Sequence, residues 1–351
     1  METKIVKMTQ DNIDKKAIEE AGDILRNGGL VAFPTETVYG LGANALDEKA
    51  AMSIYKAKGR PSDNPLIVHI ARREDLDSLV ESVSDGAERL MEKFWPGPLT
   101  IVFKKSKLVL DSITGGLDTV AIRMPNHKIA LELIKEAGVP VAAPSANTSG
   151  KPSPTIASHV VEDMDGRVDM IIDGGDAGYG VESTVVDVSG DELMILRPGG
   201  ITAEDLRGVF EKVSLDPALE YGVSDAVPRS PGQKYKHYSP EAEVIIYTSS
   251  DLDKLSTGIS KVYDDYVKEG KKPGILSTAE TSESYGERLQ LILGDRSNPI
   301  SLSSRLFKRL REFDQLGVDV ILAEGLNQLG INLATMNRLK KAAAGQVIVI
   351  D

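Results

Sequence analysis

The chain contains no cysteine, so disulfide cross-links, thiolate metal sites and cysteine nucleophiles are excluded. It has no run near the ~18 consecutive apolar residues that a membrane helix needs. Its first residues, METKIVKMTQ, lack the apolar core of a secretory signal. These absences fit a cytoplasmic protein without a membrane partner. Positive charge is also short: 41 basic against 53 acidic residues leave a net charge of −12, which opposes non-specific binding to nucleic acid. Several nucleotide signatures are missing as well. There is no G-x-x-x-x-G-K-[ST] loop, no dinucleotide fingerprint, no kinase set and no H-E-x-x-H zinc motif.

What is present is a 351-residue chain, long enough for two domains, with 41% hydrophobic and 27% charged residues. Its first two hundred residues alternate between short apolar runs and amphipathic stretches. Strands are predicted at 30–33, 65–70, 99–103, 119–124, 139–143, 170–172, 183–188 and 193–196, with helices at 13–27, 49–58, 85–94 and 127–136. Residues 215–240 lack periodicity and carry Pro217, Pro228, Pro231 and Pro240, which reads as a linker or functional loop. Beyond it, strands are predicted at 243–247, 274–277, 289–293, 319–323 and 346–350, with helices between them. That alternation implies a small three-layer α/β domain with a mainly parallel sheet.

The densest chemical signal is KAKGRPSDNPLIVHI, residues 56–70, where Lys56, Lys58 and Arg60 precede a proline-bounded loop and an apolar strand. Three cations within five residues of an acidic chain suit the grip of a polyanion. Lys56 reads equally well as a charge at a helix C-terminus. Small polar residues also follow strand ends. They are Thr35, Glu36 and Thr37 in the loop that runs to Gly40 and Gly42, PSANTSG at 144–150, Glu182-Ser183-Thr184, and Arg197-Pro198-Gly199-Gly200. Serine, asparagine and consecutive backbone N–H groups can hold an anion. Gly40 and Gly42 read either as ligand approach or as a tight turn. Arg123, at the end of a strand, needs a partner, whether a substrate carboxylate or an internal acid. His69 in its apolar strand reads on its own as a core imidazole. His127 and His159 lie on polar segments, are expected to be exposed, and receive no role.

These motifs, in this order, resemble the long, two-domain form of the threonylcarbamoyl-AMP synthase family, built on a YrdC-like domain. The resemblance rests on PTETVYGLG at 34–42, KGRPSDNPL at 58–66, FWPGPLT at 94–100, IRMPNH at 122–127, PSANTSG, ESTVVD at 182–187, LRPG at 196–199 and SPGQKYKHYSP at 230–240. It implies a YrdC-like twisted mixed sheet flanked by helices over 1–212. A lid over the site would span 213–241, and a smaller Rossmann-like three-layer α/β domain 242–351. The implied reaction joins L-threonine, bicarbonate or CO2 and ATP, with Mg2+, into L-threonylcarbamoyl-AMP and pyrophosphate. The product would go to a separate tRNA threonylcarbamoyl transferase that forms N6-threonylcarbamoyladenosine on tRNAs reading ANN codons.

Carried onto this chain, the resemblance makes Lys58 and Arg60 the catalytic cations on the triphosphate, with Asn64 beside them. Thr119, Ser145, Asn147, Ser153 and Arg197 would line the nucleotide, and Tyr235 would close over it. Thr37, His69, Arg123, Ala143 through its backbone, and Ser183 would form the threonine pocket, which turns His69 from a core residue into a ligand-facing one. Two other readings stay open: a non-catalytic RNA-binding module, against which the acidic composition weighs, and another ATP-using acyl or carbamoyl transferase on the same fold.

Overall fold

A computed structural model describes residues 2–190, 192–219 and 238–351. They form two compact units. The first runs to Ser149 and resumes from Ser153 to 219; the second takes in Gly150–Pro152 and residues 238–351.

In the first unit the strands are β1 (Lys4–Lys7), β2 (Val31–Phe33), β3 (Gly40–Asn44), β4 (Ile67–His69), β5 (Leu99–Lys104) and β6 (Thr119–Arg123). They continue with β7 (Val141–Ala142), β8 (Met170–Asp173), β9 (Thr184–Asp187), β10 (Leu193–Arg197) and β11 (Val213–Leu215). The helices are α1 (Lys15–Arg26), α2 (Glu48–Lys58), α3 (Asp85–Phe94), α4 (Asp111–Thr114), α5 (Lys128–Ala137), α6 (Ala157–Met164) and α7 (Ala203–Arg207). Among the described residues the strands make one eleven-stranded mixed sheet, in the order β1-β8-β2-β3-β7-β4-β6-β5-β9-β10-β11. Local chemistry sets the helix ends. Asp47 accepts from the N–H groups of Lys49 and Ala50 to start α2, and Gly59, at φ 63°, ends it in the left-handed conformation that glycine adopts without strain.

Because side chains alternate along a strand, the sheet separates two apolar layers. Ala32, Ala142 and Ile171 join the larger core. Their neighbours Val31, Phe33, Val141 and Ile172 join a second cluster with Ile129, Leu133 and Ile134 of α5. Further along, the second face is covered by a smaller cluster of Ile67, Val102, Ala121, Val185 and Leu196. Between the two clusters on that face the cover changes from apolar to polar.

The second unit holds β12 (Glu243–Thr248), β13 (Pro273–Ser277), β14 (Gln290–Ile292), β15 (Val320–Glu324) and β16 (Val347–Val349). Among the described residues these form an all-parallel sheet in the order β14-β13-β15-β12-β16. Helix α8 (Leu252–Lys268) buries Leu255 and Ile259 against Ile245, Ile275 and Leu322 on one face. Phe313 of α9 (Pro299–Leu316) lies against Gly274 on the other, which makes three layers. The remaining helix is α10 (Asn332–Ala342).

Several expectations are corrected. Gly40 and Gly42 lie in β3 and not in a turn; a Cβ at Gly42 would come within 2.9 Å of both Phe33 and Val141, so the glycines make room for neighbouring strands. Strand β11 pairs with β10 in parallel, so the first sheet runs into the segment read as a lid. Strand β1 and helices α6 and α7 had no periodic signal strong enough to be expected. His127 and His159, expected to be exposed, are 6% and 4% accessible.

Candidate active site

Strand register assembles the site. His69 of β4 lies opposite Arg123 of β6, and Arg123 lies opposite Thr100 of β5. Thr100 in turn shares a 2.7 Å hydroxyl–hydroxyl hydrogen bond with Ser183, at the start of β9. The four side chains form a row across neighbouring strands, each two residues from a member of the small apolar cluster and therefore on its face. Arg197 joins them through a bulge. Ile195 opposes Val186 and Arg197 opposes Val185, so β10 carries one extra residue there. The bulge turns Arg197 onto the site face, where Nε donates to the Ser183 carbonyl and Nη2 to its hydroxyl, both at 3.0 Å.

Arg123 is 4% exposed and holds the loop between β2 and β3. Its Nη1 donates to the Thr37 hydroxyl at 2.9 Å, Nε donates to the Gly97 carbonyl at 3.3 Å, and Nη2 stands 2.7 Å from a carboxylate oxygen of Glu36. The internal acid that Arg123 needed is thus Glu36. The loop is braced from within: the Thr35 hydroxyl accepts from the N–H of Thr37 and donates to the Val38 carbonyl at 2.6 Å. His69 packs edge-on to Phe33, with ring centroids 6.4 Å apart. Burial, reinforced by the Arg123 charge, lowers its pKa to about 3, so its imidazole is neutral. His127 is likewise pushed down by burial, opposed by the charge of Glu36.

The other end of the same strands carries the cations. Because β7 runs antiparallel to β4 and the Ala143 N–H donates to the Ile67 carbonyl at 2.9 Å, the chain after Ala143 emerges beside Asn64 and Pro65 rather than beside His69. There Lys58, 1% exposed, donates to the Ser145 carbonyl, and to Asn147 at its carbonyl, 2.5 Å, and side-chain oxygen, 3.4 Å. The Ser145 hydroxyl donates to the same Asn147 side-chain oxygen at 2.6 Å. Arg60 donates to the Asn64 and Pro65 carbonyls at 3.4 and 3.1 Å. Asn64 is 1% exposed, and among the described residues neither side-chain amide atom has a hydrogen-bond partner. Buried polar atoms in that state are costly. Thr119 shares the Arg123 face four residues along β6, about 13 Å away at the usual strand rise. Lys56 is exposed on α2, as a helix-end charge would be.

Most of the residues singled out in the sequence therefore converge on one face. Lys58, Arg60, Asn64, Ser145 and Asn147 meet at one end, and Thr37, His69, Arg123 and Ser183 at the other. Ser153 lies with the second group, since its hydroxyl donates to Glu182 at 2.6 Å, beside Ser183. Arg197 does the same. Tyr235 lies outside the described residues. Sequence reasoning gave no role to Glu36, Glu182 or Thr100, although all three stand inside quoted motifs. A carboxylate one residue from a candidate ligand was the available signal. Among the described residues no group of three or more carboxylate and imidazole side chains could cage a metal ion. The arrangement offers one compartment for a small zwitterion and one, rich in cations and amides, for phosphates.

Comparisons with known proteins place the whole chain in one family. The family model described as Telomere recombination, which carries the Sua5, YciO and YrdC names, matches residues 23–199. The model for the threonylcarbamoyl-AMP synthase C-terminal domain matches 201–344. The threonylcarbamoyl-AMP synthase of Pyrococcus abyssi is 49% identical over 346 residues, 99% of each chain. That of Bacillus subtilis is 47% identical over 94% of each. The crystal structure of the P. abyssi protein complexed with L-threonine superposes with a TM-score of 0.94, at 47% identity over 100% of both chains. This chain belongs to the threonylcarbamoyl-AMP synthase family.

Proposed function

We propose that this site makes L-threonylcarbamoyl-AMP and pyrophosphate from L-threonine, bicarbonate or CO2, and MgATP. The observation that carries the reading is the row His69, Arg123, Thr100 and Ser183, with the Thr37 hydroxyl held against Arg123. It is a buried set of donors and acceptors on one face of the sheet, with Lys58 and Arg60 beyond the other end of the same strands. Arg123 takes the threonine carboxylate, and the hydroxyls of Thr37 and Ser183 complete the pocket with the Ala143 backbone. Neutral His69 accepts or donates a hydrogen bond without adding charge. The threonine nitrogen, once deprotonated, adds to CO2 to give a carbamate. The carbamate oxygen then attacks the α-phosphorus of ATP in line, and pyrophosphate leaves.

Such a displacement needs positioning and charge neutralisation rather than a covalent enzyme intermediate. Lys58 and Arg60 supply positive charge. Asn64, Ser145, Asn147 and Thr119 contact the nucleotide, with Ser153 and Arg197 between it and the threonine. Mg2+ arrives on the triphosphate, which suits an ion that keeps waters and phosphate oxygens as ligands. The product passes to a separate transferase acting on tRNA, in the cytoplasm. Among the described residues no helix is long and apolar enough to cross a membrane. Pyrophosphate release that requires both L-threonine and bicarbonate tests the reading. ATP turnover at the same rate without threonine would refute it.

A further inference from the structure

The ion pair between Glu36 and Arg123 is buried yet poorly made. The nitrogen and oxygen are 2.7 Å apart, with the side chains 5% and 12% exposed. Even so, among the described residues no aligned hydrogen bond reaches either carboxylate oxygen of Glu36 or Nη2 of Arg123. The surroundings do not compensate. His127 is buried with its Nδ1 unpartnered among the described residues, and burial, reinforced by the Glu36 charge, pushes the Tyr179 pKa up, so its phenol stays neutral and adds no positive charge. Backbone bonds fix the loop instead: the N–H of Tyr179 donates to the Glu36 carbonyl at 2.9 Å, and that of Gly180 to the Thr37 carbonyl at 3.1 Å. The carboxylate is therefore held in place by its backbone, with its own hydrogen-bonding capacity unspent. Leaving charged atoms buried and unaligned costs stability, unless a ligand completes them.

An α-amino acid carries its two charges on groups joined through one carbon, as close together as the Glu36 and Arg123 charges. Inserted beside the pair, it would meet Arg123 with its carboxylate and Glu36 with its ammonium. Each unaligned atom would gain a charge-assisted bond, and the site would stay neutral overall. We propose that Glu36 is the specificity-determining residue that binds the substrate ammonium, so that the pocket selects an amino acid over a simple carboxylate. This rests on the threonine reading above and adds a contact to it.

The test is calorimetric titration of the full chain and its Glu36→Gln variant with L-threonine and with 3-hydroxybutyrate. The latter keeps the carboxylate and hydroxyl but has no ammonium. The variant is expected to lose about ten- to hundredfold in affinity for L-threonine, the worth of one hydrogen bond to a charged group. Its affinity for 3-hydroxybutyrate should change by less than about threefold, and Glu36→Asp should recover part of the lost threonine affinity. Unchanged far-ultraviolet circular dichroism and nucleotide binding would show that the variant is folded. Equal losses for both ligands would mean that Glu36 only props Arg123, and would overturn the proposal; so would no loss for either. Failure of the parent chain itself to bind L-threonine would overturn the functional reading, and the Glu36 assignment with it.

Discussion

Replacing Lys58 with methionine keeps the length of the side chain and removes its ammonium. In the structure that ammonium is buried and bonds the Ser145 carbonyl and both oxygens of Asn147, so it gathers three acceptors of the 144–149 loop. Two of those contacts are short and charge-assisted. Hydrogen bonds to charged groups contribute about 1.5–3 kcal/mol each, and stranded carbonyls add a penalty. Some of this is returned by no longer burying a charge, so a net loss of about 3 kcal/mol is expected. For a unit of this size that is about 6–12 °C in melting temperature. Turnover should fall further than stability alone explains, by about a hundredfold or more, because Ser145 and Asn147 would no longer be held in register with the nucleotide. The assays are differential scanning calorimetry and pyrophosphate release under saturating threonine, bicarbonate and MgATP. A Lys58→Met chain that melts with the parent but does not turn over would refute this reasoning. Lys58 would then act on the phosphates alone, and its bonds to the loop would carry no weight.

Arg123→Lys keeps the charge but not the fork that reaches Thr37, Gly97 and Glu36 together. The KM for threonine should rise at least about tenfold, with little change in the KM for ATP, in steady-state kinetics with each substrate varied. His69 has its pKa lowered to about 3 by burial, below the unfolded value near 6.5. Its contribution to stability is therefore full above about pH 6.5 and is lost as pH falls towards 3. There the unfolded chain takes up a proton that the folded chain refuses, at up to about 1.4 kcal/mol per pH unit. Denaturant titrations of His69→Asn between pH 7 and 4 should show a shallower acid limb than the parent. Gly199→Ala should destabilise the first unit by about 1–3 kcal/mol or more, since the added Cβ would stand 2.3 Å from the Thr184 nitrogen and 2.4 Å from the Glu182 oxygen. A parent-like melting curve for that variant would show that the contact between the end of β10 and the start of β9 yields easily.

Most strand positions in both units were legible from short apolar runs, whereas β1, β3 and β11 were not. Residues 85–94 were expected as a helix with the bounds that α3 has. Legibility stopped where position depends on other strands. Gly40 and Gly42 look like a turn because two glycines flank a leucine, and only the presence of Phe33 and Val141 across the sheet explains them as strand residues. His127 stands between Asn126 and Lys128, both exposed, and polar neighbours gave the wrong answer for a residue turned inward at the start of α5. The bulge at residues 195–197 leaves no mark in LRPG, yet it decides which way Arg197 points.

The deepest of these gaps concerns the division of the site. A motif lists residues by chain order, whereas substrates meet them by strand end. KAKGRPSDNPLIVHI and IRMPNH lie far apart in sequence, yet β4 and β6 run side by side in parallel and set His69 opposite Arg123. The same parallel register puts Thr119 level with the chain just before β4, near Asn64, although Thr119 and Arg123 belong to one strand. In contrast, Ser183 and Arg197 come from different motifs and different strands but share two hydrogen bonds. Strand direction thus separates the two compartments. Arg197 and Ser153, bonded to Ser183 and Glu182, fall on the same side of that division as His69 and Arg123.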